Sequence, residues 1–336
     1  MNIRSVGLSL ILLFLISSCK DKKSSYLEFN GFAQGTTYHM VFEKSDEINP
    51  ERLKSNIEKI LHDFNLSLSL YEDSSILSKI NRNEETIPDS FFVRVFAKSK
   101  QISQLTEGAF DITVGPLVRA WGFGPDEHKS FSESKRDSLL QLVGMNKVDI
   151  RDGKIWKADQ HVSLDFNAIA QGYSVDVIYR YFDDLGIKSY LIEIGGEVRV
   201  KGNKNGAMWK IGIDKPYDDN MIPGENLEAI ISLDDRSLAT SGNYRKFYVE
   251  NGIKYSHTID PKTGYPANNQ LLSATILADE CAIADGIATA CMVMGKDKTI
   301  EFLNLHPEFK GYLIYSDDSG NLKTWMSEKL KGFIAE

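Results

Sequence analysis

The sequence predicts an α+β fold: a single domain with a largely antiparallel sheet and flanking helices. Three observations predict it. Helix-like and strand-like segments follow one another without a regular βαβ alternation, which argues against a doubly wound parallel sheet. The sequences Arg151-Asp152-Gly153-Lys154 and Asn251-Gly252 are typical of the tight turns that join antiparallel strands. No internal repeat, low-complexity segment or linker divides the chain of 336 residues, so one interwoven domain is favoured over two.

The first 28 residues are set apart from that domain. Arg4 precedes an apolar run, Val6 to Ile16, that is too short to span a bilayer comfortably and ends in small residues, as a cleavable secretory signal does. The string Ile-Ser-Ser-Cys then resembles a bacterial lipobox, in which Cys19 is lipidated and becomes the new N-terminus. The alternative is an ordinary signal peptide followed by an incidental cysteine. We therefore expect a lipoprotein signal peptide over 1–18, a lipidated Cys19 and polar tether over 19–28, and the globular domain over 29–336.

Caps, turns and apolar spacing predict the elements of the domain. Asn49-Pro50 is expected to open a helix, because apolar residues recur after it at helical spacing and proline suits the first turn. Gly108 and Gly186 are placed to end two further helices, over 91–107 and 167–185. The remaining predicted elements are strands over 29–43 and 162–166, a helix rich in small residues over 281–294, and a final hairpin over 311–326.

Composition and missing motifs exclude several classes of function. A net charge of −8, with no lysine-arginine run after the tether, argues against a nucleic-acid partner. Cys281 and Cys291, if they share a helix, lie roughly 15 Å apart by the rise per residue, too far for a disulfide. The sequence contains no Cys/His metal cluster, P-loop, GxGxxG, HExxH or GxSxG motif, so zinc proteolysis, glycine-loop phosphate binding and the α/β-hydrolase nucleophile all lose support.

Five clusters carry the positive signals, and three of them are loops or turns. The first is QGTTYHM, residues 34–40, where a turn enters a strand; alone it is an ordinary strand start. The second, GAFDITVGPLVRAWGFGP over 108–125, threads glycines and prolines around Trp121 and Phe123 and suits a shaped aromatic wall as well as it suits a structural loop. The third, ATSGNY over 239–244, contains a Ser-Gly turn whose backbone N–H groups suit an anion, although that signal alone is weak.

Two clusters contain a carboxylate beside a helix. In LDFNAIAQGYSVD, Asp165 precedes a helix start and suits a ribose, a base or a bound cation; the alternative is that it only helps to cap the helix. In CAIADGIATACMVMG, Asp285 and Thr289 are four residues apart and share a helix face. With a main-chain carbonyl from elsewhere they form an oxygen-only set suited to Mg²⁺; the alternative is a local hydrogen bond between them.

The stretch HTIDPKTGYP, residues 257–266, is in part a turn. Asx and glycine chemistry explains Asp260, Pro261 and Gly264 without invoking function. It does not explain His257. A two-residue turn at Asn251-Gly252 sets Glu250 opposite Ile253 and brings Lys246 opposite Ser256 or His257, so the histidine is expected beside the end of ATSGNY.

In this order, the five clusters resemble those of the ApbE-type FAD:protein FMN transferases, flavin transferases that are often lipoproteins. The resemblance extends from about Gly31 to the C-terminus. It implies an α+β domain that binds FAD with Mg²⁺, moves the FMN half of FAD onto a threonine or serine hydroxyl of a target flavoprotein, and releases AMP. The positions that match the family around FAD are Gln34, Tyr71, Ala109, Phe110, Asp111, Asp165 and Gln171. The metal positions are Asp285, Thr289 and the main-chain carbonyl of Ala168. Gln171 stands where a lysine or glutamate is expected in many members.

The residues themselves also predict the chemistry, and the N-terminal segment predicts the location. His257 is the candidate general base, since an unperturbed histidine titrates near neutral pH. Two rivals stay open: an FAD pyrophosphatase that uses water and gives FMN and AMP, and a non-catalytic lipoprotein that binds or delivers FAD. The expected partners are FAD, a flavoprotein acceptor such as a membrane electron-transport subunit, and the membrane through the Cys19 lipid. The expected location is the bacterial cell envelope, facing the periplasm.

Overall fold

The computed structural model describes residues 25–123, 132–217, 224–243, 247–250 and 253–335. The strands are β1 (Tyr26–Ala33), β2 (Thr36–Glu43), β3 (Val148–Arg151), β4 (Lys154–Lys157), β5 (Tyr190–Ile194), β6 (Glu197–Lys201), β7 (Trp209–Asp214), β8 (Leu227–Leu233), β9 (Ser237–Gly242), β10 (Phe247–Glu250), β11 (Ile253–Ser256), β12 (Leu271–Ala278), β13 (Lys310–Ser316) and β14 (Leu322–Met326). The helices are α1 (Pro50–Leu68), α2 (Ile76–Asn81), α3 (Ser90–Leu105), α4 (Gly115–Ala120), α5 (Glu133–Leu140), α6 (Asn167–Asp184) and α7 (Cys281–Leu305), with short 3₁₀ turns at Ile112–Val114, Met145–Lys147 and Glu328–Phe333.

One eight-stranded sheet organises the domain, in the order β1-β2-β5-β6-β9-β12-β13-β14. Every neighbouring pair in it is antiparallel. The pairs β3–β4, β7–β8 and β10–β11 form separate antiparallel ribbons. The predicted single α+β domain with a largely antiparallel sheet is therefore confirmed.

The sheet is covered on both faces. Helices α6 and α7 pack against one face, and their apolar residues form two continuous clusters with β2, β5 and β12. The β7–β8 ribbon and the last 3₁₀ turn cover the other face, around Trp209, Ile231 and Leu330. This double burial explains why β12 is apolar almost throughout, a pattern more usual in parallel sheets.

Most predicted boundaries are confirmed. Asn49 caps α1, since its Oδ1 accepts the N–H of Arg52 at 2.9 Å. Gly108 and Gly186 follow α3 and α6 with φ of +79° and +74°, conformations that glycine adopts at little cost. The turn at 151–154 joins two antiparallel strands, and residues 311–326 form the predicted hairpin. Glu250 pairs with Ile253 as expected. Cys281 and Cys291 are buried free thiols.

Three predicted elements differ from the structure. Residues 29–43 form a hairpin, because the chain reverses at Gln34 and Gly35, both with positive φ. Its first strand begins at Tyr26, so residues 26–28, predicted as tether, belong to the sheet. The predicted end of the helix over 281–294 is confirmed, because Gly295 has a non-helical φ of 75° and ψ of 176°; a second helical segment then continues α7 to Leu305.

The third difference is the predicted strand over 162–166, which is buried but pairs with no strand. Its backbone partners are a side chain and a loop. The Asn81 amide accepts the N–H of Leu164 at 2.8 Å and donates to its carbonyl at 2.9 Å, while the Asp165 N–H donates to the Ile112 carbonyl at 2.7 Å. Asn81 thus takes the place of a neighbouring strand.

The predicted signal peptide, Cys19 and most of the tether lie outside the described residues. Within the described ranges, the structure contains no helix both long and apolar enough to cross a membrane.

Helices α6 and α7 approach closely at Gly172, which leaves no room for a side chain there. A Cβ at this position would lie 2.5 Å from the Cys281 carbonyl oxygen and 2.8 Å from the Asp285 Cβ. Gly172→Ala should therefore destabilise the protein by about 1–3 kcal/mol, although alanine is the better helix former. Thermal unfolding measures this. The control is Gly332→Ala, where the added methyl meets nothing within 4 Å; equal stability of the two variants would contradict the close approach.

Candidate active site

The predicted flavin residues Gln34 and Gln171 meet at one end of the sheet. Gln34 lies in the β1–β2 turn, and its Nε2 is buried without a hydrogen-bond partner among the described residues. The neighbouring β5–β6 turn is joined to this hairpin, since the Gly195 N–H donates to the Thr37 carbonyl at 3.1 Å. A buried amide donor without a partner is costly, so this turn is built for a ligand.

Gln171 reaches this end from the first turns of α6. A Cβ on Gly195 would lie 2.2 Å from the Gln171 Nε2 and 2.9 Å from the Thr36 Cγ2. Gly195 also has a φ of +66°, so glycine is required there for both conformation and space. The Gly195-Gly196 pair was not singled out from the sequence, although two adjacent glycines between strand-like segments are a recognisable signal.

The metal positions lie where α6 contacts α7. The Gly172 N–H donates to the Asp285 Oδ2 at 3.0 Å. In a regular helix that N–H is the partner of the Ala168 carbonyl, four residues earlier. Because one N–H cannot fully satisfy two acceptors, the contact with Asp285 leaves the Ala168 carbonyl available to another ligand.

The neighbours of Asp285 and Thr289 support an oxygen-only cation site. Thr289 Oγ1 lies 3.1 Å from Ser241 Oγ of β9, so Asp285 and Thr289 bond to other elements and the predicted alternative of a local Asp–Thr bond is wrong. Burial, with a smaller contribution from the nearby Asp176 carboxylate, raises the pKa of Asp285 to about 7 against the Gly172 N–H. A buried carboxylate with an acidic neighbour favours a bound cation.

The donor set fits Mg²⁺ by its chemistry: one carboxylate, one hydroxyl and one carbonyl are hard oxygen ligands. Among the described residues, no group of three or more His, Cys, Asp or Glu side chains is placed to hold a metal ion. That finding agrees with a set that contains a single acidic side chain. Ser241 lay in the predicted ATSGNY cluster but was not proposed as a site residue.

Asp176, which sequence reasoning missed, holds α7 in place. Its two carboxylate oxygens accept the N–H groups of Cys281 and Ala282 at 2.8 and 3.0 Å. Helix α7 has no side-chain cap of its own, because Glu280 turns to Lys98 and Arg180. Burial raises the pKa of Asp176 to about 6. An aspartate ten residues into a helix gives no sequence signal for capping a distant one.

Asp165 and Tyr71 form a second group at the start of α6. Asp165 is buried, and its Oδ1 accepts the Asn167 N–H at 2.8 Å. Burial raises the pKa of Asp165 against this bond and against the Arg119 charge. Tyr71 is exposed at 66%, and its pKa is raised by partial burial and by the Asp165 carboxylate, against a hydrogen bond with Asn167. The alternative that Asp165 only helps to cap the helix describes one of its contacts, and the position beside an exposed tyrosine ring suits a ligand.

Asp111 lies beside this group, because the residue that follows it, Ile112, accepts the Asp165 N–H through its backbone carbonyl. Its Oδ1 accepts from the Thr113 N–H and hydroxyl at 2.7 and 2.6 Å. Burial raises the pKa of Asp111 against these bonds. Ala109 and Phe110 are buried, and the Phe110 ring packs beside Gly286 of α7, on the turn that carries Asp285.

The loop over 257–266 is fastened to the aromatic loop after α4. The Trp121 indole N–H donates to the Gly264 carbonyl at 2.8 Å, and the rings of Phe123 and His257 lie 6.4 Å apart, edge to face. Asp260 forms the predicted Asx turn, because its Oδ1 accepts the Lys262 N–H at 2.8 Å. Residues 124–125, Tyr244 and Lys246 lie outside the described residues, so the predicted pairing of Lys246 stays untested.

The structure thus brings the predicted residues together in two connected groups. Gln34, Gln171, Asp285 and Thr289 lie where α6, α7 and the β1–β2 and β5–β6 turns meet, whereas Tyr71, Asp111 and Asp165 surround the start of α6. Ala168 lies between them on the first turn of α6. Ser256 and Thr258, which flank His257, line a small gap together with Asn243 and Met292. Met292 lies one helical turn beyond Thr289 on α7. These contacts place the histidine loop on the α7 side of the site.

A model of the ApbE family matches residues 34–313. The chain belongs to the ApbE family. It is 33% identical to the FAD:protein FMN transferase of Vibrio cholerae over 96% of this chain and 97% of that protein, and 35% identical to that of Haemophilus influenzae over 94% and 93%. The solved flavin transferase ApbE from Vibrio cholerae superposes with a TM-score of 0.83 and 33% identity, covering 92% of this chain and 99% of that one. As an ApbE family member with this fold, the chain has the architecture that the sequence predicted.

The raised pKa of Asp285 predicts a pH dependence of stability for the metal-free ApbE domain. The folded-state pKa of about 7 lies above the ordinary value near 4, so the folded protein retains this proton longer than the unfolded chain. The contribution is fully present below pH 4 and is lost as pH rises through 7. In EDTA, Asp285→Asn should therefore melt close to wild type at pH 4 and increasingly above it from pH 5 to pH 8. A constant difference between the two proteins across that range would contradict the assignment.

Proposed function

We propose that this protein transfers the FMN half of FAD to a threonine or serine hydroxyl of a target flavoprotein, releases AMP, and requires Mg²⁺. Membership of the ApbE family supports the enzyme class, since the curated relatives are named FAD:protein FMN transferase. The observation that carries the proposal in this chain is the α6–α7 contact. It brings one carboxylate, one hydroxyl and one carbonyl together beside the two glutamines of the candidate flavin site.

The residues divide into binding and chemical roles. Gln34 and Gln171 offer amide groups, which can both donate and accept hydrogen bonds; Tyr71, Ala109, Phe110, Asp111 and Asp165 complete the proposed FAD site. Asp285, Thr289 and the Ala168 carbonyl would hold the metal. Mg²⁺ bound there would polarise the phosphate and offset the charge that develops on the departing AMP.

The proposed reaction is an in-line phosphoryl transfer. A P–O bond forms between the acceptor hydroxyl oxygen and the FMN phosphorus, and the P–O bond to the bridging oxygen of the pyrophosphate breaks, so that AMP leaves with its electron pair. His257 accepts the hydroxyl proton. Positioning and neutralisation of charge supply most of the rate in such reactions, which suits a site built largely from neutral polar groups.

We also propose that the protein is a lipoprotein of the bacterial cell envelope, anchored through Cys19 and facing the periplasm. The lipobox-like Ile-Ser-Ser-Cys string after an apolar run supports this. The acceptor is then a flavoprotein accessible from that compartment, such as an electron-transport subunit of the membrane.

One assay tests the proposed activity against its rivals. The protein is incubated with FAD and Mg²⁺, with and without a threonine-containing acceptor domain, and acceptor mass and free nucleotides are followed. A transferase adds one FMN to the acceptor and releases AMP in equal amount; a pyrophosphatase gives FMN and AMP without the acceptor; a carrier gives neither.

Asp285→Ala should abolish the Mg²⁺-dependent turnover while FAD binding survives in weakened form. Full activity of this variant at low Mg²⁺ would show that the proposed ligand set is wrong.

His257→Asn tests the general base. Asparagine can replace one hydrogen bond of the imidazole but cannot take a proton, so fold and FAD binding should persist while transfer slows by roughly 10²–10⁴-fold. The measurement is single-turnover transfer at saturating FAD, beside thermal unfolding.

Asp260→Ala is the matched control in the same loop. It removes the Asx bonds to Lys262 and Thr263, so stability should fall at least as much as the transfer rate. Transfer by His257→Asn within a factor of about three of wild type, below the cost of a lost base, would assign the histidine a structural role only.

A further inference from the structure

The sheet has two chemically different ends. Strand β1 runs from Tyr26 to Ala33, about 23 Å at the usual rise per residue, and ends at Gln34 of the candidate site. Strands β5 and β9 run in the same direction as β1, whereas β6, which is antiparallel to both, runs back toward the opposite end. The β5–β6 turn and Ser241 lie at the site end, whereas Ser189, Lys201 and Arg236 lie at the opposite end. We call this opposite end, formed by Tyr26 and the β6–β7 loop 202–208 with Trp209 and Lys210, the tether end.

The first strand residue is built into the β6–β7 loop. The Tyr26 hydroxyl donates to the Asn203 carbonyl at 3.1 Å and accepts the Asn205 N–H at 3.4 Å. Its ring meets Trp209 edge to face at 6.0 Å, and the Lys204 ammonium lies 5.6 Å from both ring centroids. The point where the N-terminal segment enters the fold is therefore fixed against this loop.

The loop presents positive charge and one apolar side chain to solvent. Residues 203–208 are all exposed, and Met208 is 47% exposed. Segment 203–210 contains Lys204 and Lys210 and no acidic residue. Two of the acidic groups nearby are engaged: Asp183 pairs with Lys201 at 2.5 Å, and Asp235 accepts the Gly202 N–H at 3.0 Å.

The tether is short. Ser25 follows Cys19 by six residue steps, and a fully extended chain of that length spans roughly 20 Å. A lipid on Cys19 therefore holds the start of β1 within that distance of the bilayer, and the negative charge of the whole chain does not prevent contact once the anchor is inserted.

We propose that the tether end faces an anionic lipid bilayer, and that the candidate active site points away from it. Lysines near an anionic surface are attracted to it, and a partly exposed methionine suits the headgroup region. This orientation rests on the proposed lipid anchor. It places the site between roughly 25 and 45 Å from the lipid, by the lengths of β1 and of the extended tether. The matching acceptor is a hydroxyl on a domain or loop that stands well clear of the membrane.

The test uses the lipidated full chain in sealed vesicles of phosphatidylethanolamine and phosphatidylglycerol that contain a headgroup quencher. A fluorophore is attached at Met208→Cys or at Phe32→Cys, which is 73% exposed near the site end of β1; Cys281 and Cys291 are buried. The label at 208 should be quenched and the label at 32 should not. Lys204→Glu with Lys210→Glu should lower quenching at 208 by roughly half or more. The matched control is Lys135→Glu with Lys298→Glu, two exposed lysines of α5 and α7, which should leave it unchanged.

Each other outcome contradicts the orientation. Equal or stronger quenching at 32 places the site end on the membrane, and no quenching at either position shows that neither end faces lipid. If quenching at 208 is unchanged in the Lys204→Glu, Lys210→Glu variant, the two lysines do not attract this end of the protein to the bilayer. Mass analysis of the N-terminal peptide tests the anchor separately. A chain without lipid would contradict both the anchor and this orientation. FMN transfer to a soluble acceptor, measured on the same protein, tests the proposed activity independently of both.

Discussion

The reciprocal bonding between α6 and α7 is the interaction on which the rest of the site depends. Asp176 of α6 accepts the first N–H groups of α7, and Asp285 of α7 accepts the Gly172 N–H of α6. Each helix thus supplies a carboxylate to the backbone of the other. Gly172 makes this possible, because any side chain there would meet the Cys281 carbonyl. Two carboxyl groups are buried as a result, each hydrogen-bonded to backbone N–H groups, and this arrangement favours a cation.

The same contact gives local chemistry to otherwise ordinary residues. A helix carbonyl is normally satisfied inside its own helix, and a threonine on a buried helix normally bonds to its own backbone. Here the N–H expected by Ala168 is shared with Asp285, and Thr289 faces Ser241 on the sheet. Both oxygens become available because the helices are pressed together and onto the sheet. A site of this kind needs few charged side chains.

Sequence reasoning predicted the fold class and most helix ends because those depend on local signals. Asn49-Pro50, Gly108 and Gly186 act on their immediate neighbours, and the structure places them as expected. It failed where the partner is distant. Residues 162–166 have the apolar pattern of a strand, but Asn81 supplies the pairing through a side chain, which no periodicity records. A turn was expected in QGTTYHM, but its role as a hairpin turn within residues 29–43 was missed because Gln-Gly is a weaker hairpin signal than Asn-Gly. Asp176 was missed since its partners lie more than a hundred residues away.

The sequence distance spanned by the α6–α7 contact has a consequence for the order of folding. Gly172 and Asp285 are 113 residues apart, and Asp176 and Cys281 are 105 apart. Contacts of such separation form late, because a long loop must close before they contribute. On a chain emerging from N- to C-terminus, α6 is complete while both of its partners on α7 are still missing. The α6–α7 contact, and with it the proposed cation site, therefore cannot form until the chain has been synthesised through Thr289.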